Sequence, residues 1–542
     1  MPEFSPLKYS YASHRNVVYA KKGMTASTSP VASQVGIDVM KAGGNAMDAA
    51  IAMAAVLPLV EPTGNGLGSD CFALVWSAKD KKLFGLDGSG YSPKALSAEE
   101  VKKAGYTAVP MEGWLSVMVP GAPSAWAELR RRFGTKPMTE LLAPAIEYAR
   151  QGACIPVNVW YQWKAEVTRI GNAAKHDPKL FGPWMEHFTK NGKMFEPGET
   201  FYNPDFADTL ESLAASDCDS YYQGDIMKKI VAFSKETGGF FEESDFTSYK
   251  AQWVDPISVN YKGYDVLEMP PNGHGITALM ALKMLEKMDL GADRETAGAY
   301  HKMIETTKLA FVDTKKFVAD PRYMKTKVAD MLSDRYADVR RALISDTEAL
   351  YPEAGDPSCG GTVYFCTADG EGNMVSFIQS NYNRFGSGIL VPGTGITLQD
   401  RGANFSMDPT SDNYLEGGKK AYHTIIPGFL AKDGKPIGPF GVMGGFMQPQ
   451  GHVQVVVNTI DFHMNPQEAL DAPRFQWVGE KKVQLEREVN PSIAQRLAQM
   501  GHQIEIVNTN IGMGRGEIIW RMDDGTLIGG TEPRADGTIA AW

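Results

Sequence analysis

Nine consecutive residues, Ala49 to Leu57 (AAIAMAAVL), carry no polar side chain. A helix over this stretch is apolar all round and has to be covered on every side, which demands a layered interior. Asn45 supplies a helix N-cap, and Asp48 sits three residues on, near the positive end of the helix dipole. Pro58 and Pro62 are predicted to stop the helix. A glycine-rich loop follows, then a short apolar strand over Cys71 to Trp76.

The rest of the chain supplies the layers. Helices are expected over Ala122 to Phe133 and Met138 to Arg150, ending at Gly134 and Gly152. The stretch from Val254 to Met288 reads as strand, turn, strand and long helix, and helical periodicity persists over Ala299 to Phe317. Thr362 to Ala368 and Met374 to Ser380 form a hairpin joined by DGEGN. Further strands are expected over Val453 to Ile460 and Gln503 to Val507, and a helix over Ser492 to Met500. Length alone, 542 residues, admits about three or four domains. Helices and strands nevertheless mix along the whole chain, without repeat or linker, and predict a layered α/β or α+β domain.

Composition narrows the function. The formal net charge of -10 offers no basic surplus to neutralise phosphates, so a nucleic-acid partner is not expected. Five scattered cysteines without a CxxC pair suit a reducing compartment and no cysteine-based zinc site. No stretch approaches the ~20 apolar residues that span a bilayer. The N-terminal stretch has no apolar signal-peptide core, so the expectation is a cytoplasmic protein. Motifs for serine hydrolases, nucleotide loops and HExxH metal sites are absent, and "DGSGYS" around Ser89 has the wrong spacing for a nucleophile elbow. Asp369, Glu371 and Asn373 alternate like a calcium loop, but Met374 replaces the required glycine and a hairpin turn fits better. Neither metal nor cofactor is expected.

What stands out is "CGGTVYFCTADG", where Thr362 follows two glycines at the head of a strand. A threonine there can simply be a β-branched strand residue. It can also be a nucleophile. Cutting between Gly361 and Thr362 frees an α-amine next to Oγ, and an α-amine pKa of about 7.7–8.0 suits a general base. Gly361, lacking a Cβ, tolerates the strained backbone such a cut requires.

The blocks "GGNAMDAAIAMAAVLPLVEPTGNGLG", "GYDVLEMPP", "GGTVYFCTADGEGNMVSF", "FGSGILVPGTGI" and "DAPRF" occur in the order seen in γ-glutamyltransferases, which the chain resembles from about Met24 nearly to its end. These are N-terminal nucleophile hydrolases. The resemblance implies a four-layer αββα sandwich of the α+β class and an inactive precursor. Thr362 would cut the chain after Gly361 into a large fragment, 1–361, and a small one, 362–542. The two would stay intertwined in one domain, as a heterodimer that admits higher oligomers. It further implies Gly444 and Gly445 of "MGGF" as oxyanion-hole donors and Ser380 as a hydroxyl contacting the nucleophile. Asn404 falls where an aspartate binds the substrate's α-amino group.

The departures concern the substrate. Ala98, followed by Glu99 and Glu100, stands near where an arginine for the α-carboxylate is expected. His423 and Thr424 replace two serines, Tyr382 replaces an asparagine, and Arg401 replaces a Gln or Glu. Arg401 could bind a substrate carboxylate or serve a structural ion pair. The segment between Phe405 and His423 is short for a lid loop. "IQSNY", "LQDRGANFSMDP", "YHTIIPGF" and "FGVMGGFMQPQGH" resemble the cephalosporin-acylase-like branch, which includes amidohydrolases of small acidic amides such as oxamate. The reading is a self-processing amidohydrolase or acyltransferase acting on a small amide whose acyl group bears a carboxylate. A true γ-glutamyltransferase of glutathione metabolism and an uncleaved ligand-binding protein are the alternatives.

Overall fold

The computed structural model describes residues 2–3, 11, 15–352, 361–509 and 512–542. Cys359 and Gly360 of the sequence motif lie outside the described residues. The helix Ala46–Val60 is buried along its whole length, as its composition requires. Asn45 caps it by accepting the Met47 and Asp48 N–H groups, and the Asp48 side chain returns a bond to the Asn45 N–H, closing a capping box.

Pro58 does not stop this helix, contrary to expectation; it lies inside it. A proline there removes the bond to the carbonyl four residues back. That carbonyl belongs to Ala54, and Gln379 Nε2 points to it at 3.5 Å. A neighbouring strand thus meets the acceptor that the proline leaves open.

Two seven-stranded sheets form the centre. One runs Thr538–Ala541, Gly23–Ser27, Gly361–Asp369, Met374–Tyr382, Asp70–Ser77, Lys82–Gly88, Gln252–Val254. The other runs Val18–Ala20, Leu527–Thr531, Arg515–Arg521, Lys435–Met443, Gly428–Lys432, Tyr264–Glu268, Ile257–Tyr261. Side chains alternate across each strand. Val363 and Phe365 join the helical core that contains Ala46–Val60. Tyr364, Cys366 and Ala368 face the second sheet, among Phe429, Met443 and Ile519. Phe440, Val442 and Ile518 point out of the second sheet to the helices Gly275–Leu285, Ala297–Phe317 and Met447–Ile460. The order helix, sheet, sheet, helix is the αββα sandwich, an α+β fold.

The run Val453 to Ile460, expected as a strand, belongs to the helix Met447–Ile460, every residue of which is buried. Its β-branched composition reflects burial rather than extension. Gln450 and Gln454 explain its placement. Gln450 accepts the Trp477 N–H at 2.7 Å and donates to the Trp477 carbonyl at 3.0 Å. Gln454 does the same for Phe475, at 3.2 and 3.0 Å. Four residues along a helix advance about 6 Å, and two along a strand about 6.6 Å, so the two side-chain amides match one edge of the strand Phe475–Gly479.

Candidate active site

Thr362 stands at the head of the central strand Gly361–Asp369 and is 4% exposed. Its pairing with the next strand is irregular. Gly361 faces Tyr382 and Val363 faces Gln379, so Thr362 meets two residues, Ser380 and Asn381. Such a bulge re-aims side chains at the end of a ladder. Tyr382 completes it with a positive φ of 74°. Thr362 Oγ1 lies 3.0 Å from Ser380 Oγ. Ser380 Oγ also accepts the Tyr382 N–H at 2.8 Å, which fixes its position.

The loop after Val60 passes directly against the threonine. A Cβ on Gly64 would crowd the Thr362 carbonyl carbon and oxygen at 3.2 Å, so any larger residue would have to push against the nucleophile's backbone. Asn381 donates its N–H to the Gly64 carbonyl at 3.1 Å, and its side-chain oxygen accepts from Ser69 Oγ at 2.8 Å. The same loop delivers Asp70, the register partner of Ser380.

Asp70 gathers most of the residues where the sequence departs from the family pattern. Arg401 Nε donates to Asp70 Oδ2 at 3.1 Å, and His423 Nε2 lies 3.0 Å from the same oxygen. Arg401 Nη1 donates to Thr424 Oγ1 at 2.5 Å, and the guanidinium carbon sits 4.6 Å from the centre of the Tyr382 ring. Arg401 Nη2 has no hydrogen-bond partner among the described residues. All five side chains are buried. Burial alone would raise the Asp70 carboxyl, but His423 and Arg401 outweigh it and hold it below its ordinary value. Burial, helped by Arg401, pushes His423 down to about 4, with Asp70 opposing. His423 is therefore neutral near pH 7. Its Nδ1 accepts the Ile425 N–H at 3.3 Å, which leaves the proton on Nε2, toward Asp70.

Gly444 and Gly445 follow the strand Lys435–Met443 in a turn with φ of 134° and 59°. Two fixed points give the strand's direction. A Cβ on Gly438 would strike the Ile519 carbonyl; Ile519 pairs with Gly529, which lies over Met24, the partner of Ala368. Gly441 lies over the Tyr364 ring. The strand therefore travels from the Ala368 end toward Thr362, and the paired glycines lie beyond Tyr364 in that direction. A second route agrees: Arg515, opposite Met443, donates to Glu61 at 3.1 Å, at the start of the Gly64 loop. Asn404 ends the short helical turn Arg401–Asn404 and is half-buried; its Nδ2 has no partner among the described residues.

Asp70 was missed by sequence reasoning, which found the glycine-rich loop but not its contact with Thr362. The available signal was an aspartate at the mouth of an otherwise apolar strand, "SDCFALVW". Ala98 is buried in an apolar cluster with Met118 and Phe405, the residue after Asn404. His301, Glu305 and His502 place ligand-type atoms within 4.8 Å of one another. The Lys308 ammonium sits inside that group, 2.7 Å from Glu305 Oε1, where a cation would have to go.

An αββα sandwich with a buried threonine opening a central strand defines the class: an N-terminal nucleophile hydrolase. The chain matches the gamma-glutamyltranspeptidase family over residues 32–542 and belongs to it. It is 33% identical over 530 residues to the glutathione hydrolase-like YwrD proenzyme of Bacillus subtilis, covering 96% of this chain and 98% of the other. It is 30% identical over 532 residues to the oxamate amidohydrolase proenzyme of Klebsiella pneumoniae, covering 96% and 98%. Among solved structures it is similar to the cephalosporin acylase from Bacillus halodurans, at 51% identity, a TM-score of 0.94 and 99% coverage of both chains.

Proposed function

We propose that the protein is a self-processing amidohydrolase that cleaves a small amide whose acyl group carries a carboxylate. The observation that carries this is the 3.0 Å contact between Thr362 Oγ1 and Ser380 Oγ at the bulged head of a buried strand. In processing, Thr362 Oγ attacks the Gly361 carbonyl carbon. The Gly361–Thr362 C–N bond breaks, the nitrogen takes the hydroxyl proton, and an ester forms. Water hydrolyses the ester, leaving fragments 1–361 and 362–542. Both the printed names "proenzyme" of the relatives and the glycine before the threonine support this step.

In turnover, the freed Thr362 amine takes the proton from Oγ as Oγ attacks the substrate carbonyl. The Gly444 and Gly445 N–H groups hold the oxyanion; such donors contribute about 2.7–4 kcal/mol each. The amine product leaves with the proton, and water, or an acceptor amine, releases the acyl group. Ser380 orients the nucleophile. Arg401, with Tyr382, His423 and Thr424 around it, receives the acyl carboxylate through Nη2, the open donor. Asn404, at the end of the same short turn as Arg401, lacks the charge that an α-amino group prefers. The relative named for oxamate, a small amide that carries a carboxylate, suits the same preference. The free cysteines Cys71, Cys154, Cys218 and Cys366 suit the cytoplasm. No described helix is long and apolar enough to cross a membrane.

The test combines mass and turnover. Purified protein should give two fragments divided after Gly361, and Thr362→Ala a single chain with turnover lower by on the order of 10⁶-fold. Active protein with that junction intact refutes the mechanism. Glutaryl and oxamate amides should be turned over faster than γ-glutamyl-p-nitroanilide; equal or better use of the γ-glutamyl compound favours a true γ-glutamyltransferase instead.

A further inference from the structure

Asp70 opens the strand Asp70–Ser77 and is fully buried, yet no step above uses it. We propose that Asp70 is a positioning residue that holds Arg401 side-on, so that Nη2 alone is presented to the acyl carboxylate at a fixed distance from Thr362. This rests on the proposed role of Arg401 in the same site.

A guanidinium carries five N–H groups in a rigid fork. In Arg401 the Nε–H is taken by Asp70 and one Nη1–H by Thr424, one face is covered by Tyr382, and Nη2 is the nitrogen with no partner among the described residues. A carboxylate usually binds arginine end-on and bidentately. Asp70 takes only the Nε edge and leaves the outer edge open. Asp70 is itself pinned. His423 Nε2 lies 3.0 Å from Oδ2, though not aligned for a hydrogen bond, while the Gly90 N–H and Gln399 Nε2 approach Oδ1 at 3.4 and 3.5 Å. Because Asp70 faces Ser380 in register, and Ser380 touches Thr362, the guanidinium is referenced to the strand pair that carries the nucleophile.

The charge matters as well as the geometry. A buried guanidinium without a counter-ion is costly, and Asp70 supplies one. The pair is formally neutral, so an arriving carboxylate is selected by one directed hydrogen bond more than by net charge. Removing the Asp70 charge strengthens the pull on anions and loosens their orientation, and these two effects separate in kinetics.

The experiment uses the processed enzyme with a glutaryl amide and a neutral amide of equal length. For Asp70→Asn, kcat for the glutaryl amide should fall about 100-fold relative to the neutral amide, as for a misplaced reacting group, with KM not raised. Arg401→Gln should lower the same preference, and the double variant should lose no more than Arg401→Gln alone. An equal fall for both amides, or losses that multiply in the double variant, overturns the proposal. Asp70→Glu keeps the charge and shifts the guanidinium; it should lower the ratio in the same direction even if Asp70→Asn does not fold, and an unchanged ratio counts against the proposal. If Arg401→Gln leaves the preference intact, the assignment of Arg401 fails and takes the role of Asp70 with it, whereas fragment formation still reports separately on Thr362.

Discussion

The Asp70 cluster and the His301 cluster are made from similar parts: histidine, a carboxylate and a cationic side chain, all buried. They differ in how completely they are filled. In the second, Lys308 Nζ donates to Glu305 Oε1 at 2.7 Å and Glu305 Oε2 accepts the Leu350 N–H at 2.9 Å. His301 Nε2 lies 2.7 Å from the Ser345 carbonyl, so it carries the proton, and Nδ1 receives His502 Nε2–H at 2.8 Å. His502 Nδ1 then faces Lys308 at 3.4 Å. Every polar atom has a protein partner, and the cluster's outlets go to backbone of Ser345 and Leu350. Around Asp70, by contrast, Arg401 Nη2 is left over, and Asn404 Nδ2 nearby as well. A buried polar network that closes on itself fastens the chain; one that leaves a donor open is prepared for a guest.

The largest expected effect lies at Lys308. Lys308→Met leaves the buried Glu305 without its counter-ion, and should cost about 3–5 kcal/mol, read from urea unfolding. The glutaryl-to-neutral amide ratio should not move. Glu305→Gln added to it should recover most of the loss. A shift in substrate preference would mean that the two clusters are not independent.

A smaller effect sharpens the other side. Asn404→Asp places a carboxylate where the open amide nitrogen lies. A half-exposed ion pair contributes up to about 1 kcal/mol, so γ-glutamyl-p-nitroanilide turnover should rise about fivefold. No rise would place the substrate's amino group elsewhere.

A further effect is in the pH dependence of stability. Burial pushes His502 down to about 2, and Lys308 and His301 add to that; burial also lowers His301. The unfolded chain takes up these protons below about pH 6.5 and the native chain does not. The stabilisation is therefore complete above 6.5 and is lost as the pH falls below it. Asp400 works the other way: burial raises it to about 6 despite bonds from Asn383, so its contribution is present at low pH and lost as pH rises through 6. His502→Gln should reduce the slope of unfolding free energy between pH 6 and 4 by up to about 1.4 kcal/mol per pH unit.

Much of this was legible in the sequence, and unevenly so. The Asn45–Asp48 cap, the buried helix and the Thr362 hairpin were readable because local rules and tertiary demands agree there. Pro58 and Val453 to Ile460 were misread because a strand side chain or total burial overrode the local rule. Asp70 was invisible for another reason: its meaning lies in Arg401 and His423, over three hundred residues away, and no periodicity encodes that meeting.

The glutamines of the Met447–Ile460 helix have a further consequence. A β-strand at the margin of a sheet presents bare amide and carbonyl groups that can recruit another molecule's backbone. Gln450 and Gln454 occupy those groups on Phe475 and Trp477, as a surrogate strand made of side chains would. Losing both should therefore show as association between molecules at high concentration, before any loss of catalysis.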